Sequence, residues 1–140
     1  MPEKKIEQNE DRLNIIVEAS ELGTWDLNVK TGELHYSQRY LEILGNYKDP
    51  IILSHEEILK HLHPDDMQIR NAAFKEAILS GNLHYEARII WPDNSIHWVE
   101  GKGKVFYDKN DNPDKLIGTV RDITSEKNHQ QELEQSEKKI

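Results

Sequence analysis

The last third of the chain alternates: from Leu83 onward the apolar residues recur at every second position, the period of a β-strand rather than of a helix. Strands are predicted over about 83–91, 96–107 and 115–123, parted by Pro92-Asp93-Asn94-Ser95 and by the turn-rich stretch 108–114. Neighbours at i and i+2 share a face, so each strand sorts into two sides. One side carries Tyr85, Ala87, Ile89, Val99, Gly101, Gly103, Val105, Leu116, Gly118 and Val120. The other mixes His84, Glu86, Arg88, Glu100, Lys102, Lys104, Thr119 and Arg121 with Ile90, Trp98 and Ile117. A sheet divided in this way needs a cover for its apolar side.

The preceding residues supply one. Glu3 to Leu22 reads as a helix with a narrow stripe of Leu13, Ile16, Val17 and Ser20, ended by Gly23. Trp25, Leu27 and Val29 then alternate with polar residues, and Lys30-Thr31-Gly32 turns the chain into a short strand bearing Leu34 and Tyr36. Ser37 caps a helix with Tyr40, Leu41 and Leu44 that Gly45 stops; Ser54-His55-Glu56-Glu57 is a capping box leading to Ile58, Leu59 and Leu62. Pro64-Asp65-Asp66 opens a further helix, with Met67, Phe74, Ala77 and Ile78 on one stripe and Ser80-Gly81 at its end. The order β-β-α-α-α-β-β-β, with a helix at each end, predicts an α+β domain: a five-stranded antiparallel sheet covered on one face.

The apolar face is expected to meet Leu41, Leu44, Ile58, Leu62, Phe74 and Ile78, with Trp25 and Leu27 closing the space. Gly101, Gly103 and Gly118 weaken their strands, so each marks a close approach by a bulky side chain, another backbone or a ligand. Trp25, Tyr36 or Phe74 filling the gap is the plainer alternative to a ligand pocket. On the opposite face, Ile90, Trp98 and Ile117 offer a landing strip for Leu13, Ile16 and Val17 of this chain or of a partner. Three such side chains, at roughly 1.5–3 kcal/mol each, dock a helix reversibly.

At 140 residues and 16.4 kDa the chain suits one domain with flanking helices. A net charge of -8 without a long basic patch excludes nucleic acid as an expected partner, and no apolar run approaches the ~20 residues of a membrane span. The absence of cysteine removes disulfides, thiolate catalysis, Cys-ligated zinc and a cysteinyl-flavin adduct together, and agrees with a cytoplasmic location.

GTWDLNVKTGELHYS, then HPDD at His63 to Asp66, then YEARIIWPDNSIHWVEGKG and finally GTVRDIT follow one another across about 22–127. In that order and spacing the chain resembles a PAS domain of the kind found in bacterial and archaeal sensor proteins. The resemblance implies that the closing triplet, through Asp122 and Thr124, ties the last strand to the outgoing helix. Thr124 or Ser125 is placed to cap that helix, and Asp122, in the inner register, calls for a basic or backbone donor. Asn94 and Asp111 stand where the family usually has glycine, and both residue types tolerate a left-handed backbone. The resulting division is 1–22 as a flanking helix, 23–124 as the PAS domain and 125–140 as a signalling or linker helix.

The expected ligand pocket comprises Trp25, Leu27, Tyr36, Leu41, Leu44, Leu62, Phe74, Ile78, Tyr85, Ala87, Ile89, Val99, Gly101, Gly103, Leu116, Gly118 and Val120. No cofactor is assured. Light-sensing relatives use a cysteine, which is missing, and haem-binding relatives place a histidine on the helix that here runs from Asp66 to Leu79 without one, so haem and flavin stand only as alternatives. His55, His61 and His63 beside Asp65 and Asp66 match no tight metal spacing; His63 reads as the residue before a helix-opening proline and the other two as exposed. The alternating charges Glu86/Arg88 and Glu100/Lys102 read as members of cross-strand pairs on the outer sheet face, and no nucleophile, base and orienter come together. The family implies a sensory or dimerisation module of a larger protein, foremost a two-component histidine kinase, with a diguanylate cyclase or transcriptional regulator next. Its expected partners are a second copy through the flanking helices, an output domain in the same chain and a small molecule. The tail agrees: Leu133 and Ile140 lie seven apart, and EKKI occurs at both ends of the chain, as tandem domains with one linker type would show. A small hydrolase or isomerase using His63, Asp65 or Glu86 would need a charge turned into the cavity, and a metal-dependent sensor would need His61 and His63 to converge.

Overall fold

The computed structural model describes residues 11–13 and 15–138. The N-terminal half of the first predicted helix, the final residue Ile140 and the first EKKI lie outside them. Residues 11–13 and 15–20 are helical (α1). The sheet strands are β1 (Gly23–Asn28), β2 (Leu34–Tyr36), β3 (Asn82–Ile90), β4 (Ile96–Tyr107) and β5 (Pro113–Asp122). Between β2 and β3 lie α2 (Gln38–Gly45), α3 (His55–Lys60), a 3-10 turn (Pro64–Asp66) and α4 (Met67–Ser80), and α5 (Thr124–Lys138) follows β5. The sheet order is β2-β1-β5-β4-β3 and every pairing is antiparallel. It is the α+β, five-stranded arrangement that the two periods imply.

Alternation sorts the strands as expected. Leu83, Ala87, Ile89, Val99, Val105, Leu116 and Val120 are buried, whereas His84, Lys102, Lys104 and Arg121 are exposed. The buried residues form two clusters under the helices, one around Ile43, Leu62, Ile89, Val99 and Val120, the other around Trp25, Ala77, Leu83, Val105 and Leu116. The free edge of β3 is covered by the segment before α4: His63 N–H donates to Arg88 O, and Ile90 N–H donates to His61 O. That pairing fixes the start of α4 against the sheet.

Several local readings shift. α1 stops with Glu21, not Gly23, in the left-handed region (φ 59°), and Gly23 is the buried first residue of β1. Likewise Asn46 (φ 60°), not Gly45, ends α2; a side chain on Gly45 would run into the Tyr47 ring. Asn94 and Asp111 do take the left-handed turn conformation, at φ 69° and 60°. β5 begins two residues earlier than predicted and ends at Asp122. α4 presents Arg70, Ala73, Phe74 and Ala77 at i, i+3, i+4 and i+7, which turns Ile78 outward, where it is 40% exposed. The alanines let the helix sit close to the sheet.

Candidate functional site

A cavity of about 80 Å³ opens between the inner face of the sheet and the three central helices. Trp25, Leu27 and Leu34 close one end; Tyr40, Ile43 and Leu44 of α2 and His55, Ile58 and Leu59 of α3 form the roof. Leu62, Arg70 and Phe74 make the α4 side, and Tyr85, Ile89, Val99 and Val120 make the floor. Of the expected pocket residues, Trp25, Leu27, Leu44, Leu62, Phe74, Tyr85, Ile89, Val99 and Val120 meet there.

The others do not, for separate reasons. Leu41, Ala87 and Leu116 are packed in the core beside the cavity rather than facing it, and Ile78 points to solvent. The Tyr36 hydroxyl is taken by the loop before α3, donating to Ile51 O at 3.2 Å and accepting from Leu53 N at 2.8 Å. The glycine gaps are filled by protein: a side chain on Gly101 would meet the Tyr85 ring, and one on Gly103 or Gly118 would meet the Trp25 indole. Sequence reasoning missed Leu34, Tyr40, Ile43, His55, Ile58, Leu59 and Arg70 as lining. Reading Arg70 with Ala73, Phe74 and Ala77 as one stripe would have found the most polar of them.

The polar groups of the cavity are few. Burial raises the Tyr40 pKa, helped by the Tyr85 hydroxyl and opposed by the Arg70 charge; burial also raises that of Tyr85, again against Arg70. The Arg70 guanidinium lies 4.2 Å from the centre of the Phe74 ring. His55 is the one histidine lining the cavity among the described residues. As these side chains stand, a haem or a flavin does not fit: ligand pockets of drug size begin at roughly 300 Å³.

The other histidines are engaged elsewhere. His61 Nδ1 donates to Ile90 O at 2.9 Å, which leaves Nε2 to accept from the Tyr47 hydroxyl at 2.7 Å. It is half-buried, not exposed as expected. His63 Nδ1 accepts from Asp65 N–H at 3.1 Å as the cap of the 3-10 turn. Among the described residues no group of His, Cys, Asp and Glu is arranged to hold a metal ion.

Asp66 of the HPDD motif is buried, and Arg88 reaches it with its backbone N–H (2.7 Å), Nε (3.0 Å) and Nη2 (2.8 Å). Those side-chain bonds, with the backbone bond and the Arg88 charge, hold the carboxyl below its ordinary range although burial works the other way. Arg88 thus pairs with Asp66 ahead of α4 and not across the sheet, as the alternating charges suggested. Glu86 instead meets Lys127 Nζ of α5 at 2.6 Å, turned away from the cavity, and Glu100 draws His84 (3.0 Å), Arg121 (3.4 Å) and Lys102 (3.8 Å).

The closing triplet is a built joint. Asp122 Oδ1 accepts from the Thr124 hydroxyl at 2.6 Å and from Thr124 N–H at 2.9 Å, and Thr124 Oγ1 in turn accepts from Trp98 N–H at 3.0 Å. Ile123 N–H donates to Trp98 O at 2.9 Å, and Lys127 N–H donates to Ile123 O. Ile123 thus stands at the start of α5, and the hydroxyl of Thr124 serves the joint instead of capping the helix. Two cations approach the Trp98 ring, Arg88 at 5.6 Å and Lys127 at 4.9 Å from its centre.

On the outer face Ile90 and Trp98 are half-buried and Ile117 is exposed. Leu13 and Ile16 are each 62% exposed and Val17 is half-buried, so the α1 stripe is not buried against its own sheet. No described helix is long and apolar enough to cross a membrane.

A family model described as the PAS fold matches residues 33–120. The sensor protein FixL of Bradyrhizobium diazoefficiens is 27% identical over 118 residues, 84% of this chain and 23% of that protein. The blue-light-activated histidine kinase of Brucella anthropi is 27% identical over 122 residues, 86% of this chain and 24% of that one. The chain spans about a quarter of the length of these curated relatives. Among solved structures, a sensory box histidine kinase/response regulator from Burkholderia thailandensis superposes with a TM-score of 0.75 at 25% identity, covering 91% of this chain and 96% of that one.

Proposed function

Because the chain belongs to the PAS-fold family, we propose that it is the sensory and dimerisation module of a multidomain signalling protein, foremost a histidine kinase of a two-component system. A small molecule enters the cavity, the sheet responds, and α5 carries the change to an output domain in the same chain. The observation that carries this reading is one of adjacency. Val99 and Val120 line the cavity, while Trp98 and Asp122, one and two residues away on the same strands, hold the first turn of α5. A movement of β4 or β5 at the cavity therefore reaches the joint without passing through any loop.

Residues 1–22 and 125–140 act in this reading as the flanking helices of a domain spanning 23–124. The stripe of exposed Leu13 and Ile16 with half-buried Val17, together with Ile90, Trp98 and Ile117, serves pairing with a second copy. The similarity to a sensor protein and to a histidine kinase supports the kinase context, and with Glu86 turned away an enzymatic reading of this chain lacks that acid in the cavity. The test places the chain ahead of a dimeric histidine kinase core and follows autophosphorylation. Asp122→Ala is expected to uncouple output from the sensor while the domain melts cooperatively. Unchanged regulation, or outright unfolding, would overturn the assignment.

A further inference from the structure

Most buried polar tips in this chain are spoken for. The Tyr36 hydroxyl bonds the backbone at Ile51 and Leu53, Tyr47 bonds His61, and Trp91 Nε1–H donates to Ile43 O at 3.0 Å. Two are not. The hydroxyls of Tyr40 and Tyr85 have no hydrogen-bond partner among the described residues, although both rings line the cavity. No side-chain polar atom that is fully shut away lacks a partner among the described residues, so these hydroxyls open onto the free space.

Arg70 joins them on the lining. Arg39, Arg88 and Arg121 each face a carboxylate, at 3.4, 2.8 and 3.4 Å, but Arg70 faces none among the described residues. It bonds the Asn71 side chain at 3.3 Å and stacks on Phe74. The Phe74 ring under the guanidinium has its centre 6.1 Å from that of Tyr85, and Tyr40 lines the same cavity, so the charge and the two phenols border one space. The raised phenols stay protonated near neutral pH and are donors there. A guanidinium without a carboxylate and two unbonded donors, in a space lined otherwise by aliphatic and aromatic side chains and by His55, describe half of a recognition site for an anion.

We propose that the cavity takes a short aliphatic monocarboxylate, its head among Arg70, Tyr40 and Tyr85 and its tail along Leu62, Ile89 and Val99. The inference rests on the reading of the cavity as a ligand site and adds the class of the ligand. The size of the space, about 80 Å³, restricts the molecule to a few heavy atoms.

The experiment is a calorimetric or NMR titration of the purified chain with butyrate and with butyramide, which has the same shape and no charge. Butyrate is expected to bind at least about tenfold more tightly than butyramide, as a charge-assisted pair requires. Arg70→Gln is expected to remove that preference, bringing butyrate to about the affinity of butyramide, with cooperative melting as the control of folding; Tyr85→Phe, which deletes one hydroxyl only, is expected to weaken butyrate severalfold. Equal binding of butyrate and butyramide to the wild type would overturn the carboxylate assignment and leave the cavity a ligand site. If neither probe perturbs cavity resonances, the ligand-site reading falls together with it.

Discussion

Asp66 is 3% exposed and takes three hydrogen bonds from one arginine, so removing the carboxylate leaves Arg88 partly buried with its backbone N–H unsatisfied. Asp66→Ala is expected to cost roughly 2–4 kcal/mol in denaturant unfolding at about pH 7. The sign of its pH dependence follows from the lowered folded pKa. The carboxylate stabilises fully above its unfolded pKa of about 3.9, and that contribution is lost as the pH falls through the lower folded value. The gap between wild type and Asp66→Ala should therefore be widest at about pH 5–7 and narrow towards about pH 2. A gap that is constant with pH would mean that the ion pair contributes nothing. HPDD was legible as a helix start, but which aspartate would be buried was not, because the arginine that selects Asp66 lies 22 residues further on and looked like part of a charged sheet face. The same holds for the inner glycines: their alignment beneath a bulky group was readable, and the identity of that group, Trp25 and Tyr85, depends on strand register.

At the level of elements, period and caps carried far. The switch from helical to alternating pattern placed β3, β4 and β5 to within a residue or two, and Ser37 and Ser54 cap α2 and α3 as their side chains suggest. Stops were read less well, since glycine is only one residue that accepts a positive φ and Glu21 and Asn46 took the role instead. The α4 stripe was misread on one side, with Ile78 placed in it and Ala73 left out, although helix-to-sheet proximity favours the small residue. The attachment of α5 has two layers: the hydrogen-bonded joint, and Lys127 over Trp98 and against Glu86. The second layer lies at the solvent edge and is screened, so Lys127→Ala should lower stability by only about 0.5–1 kcal/mol, with the deficit shrinking in salt. Thermal melts at low and high ionic strength measure this, and a loss above about 2 kcal/mol would place Lys127 in the joint itself.

The whole molecule is a sheet with two differently used faces. Its inner face builds core and cavity together, and its outer face bears charge networks around Trp98. That division was readable from alternation alone. The cavity was not fully readable, since Tyr40, Ile43, His55 and Arg70 reach it from helices whose rotation only packing decides. The central claim is that cavity strands and outgoing helix are joined through Asp122 and Thr124, and amide hydrogen exchange tests it most directly. Losing the hydrogen bonds of the joint removes about 1–3 kcal/mol of local stability, so Asp122→Ala should speed exchange in the first turns of α5 about tenfold or more. The amides of β3, β4 and β5 should keep wild-type protection. Unchanged exchange in α5, or an equal rise across the sheet, would contradict the account.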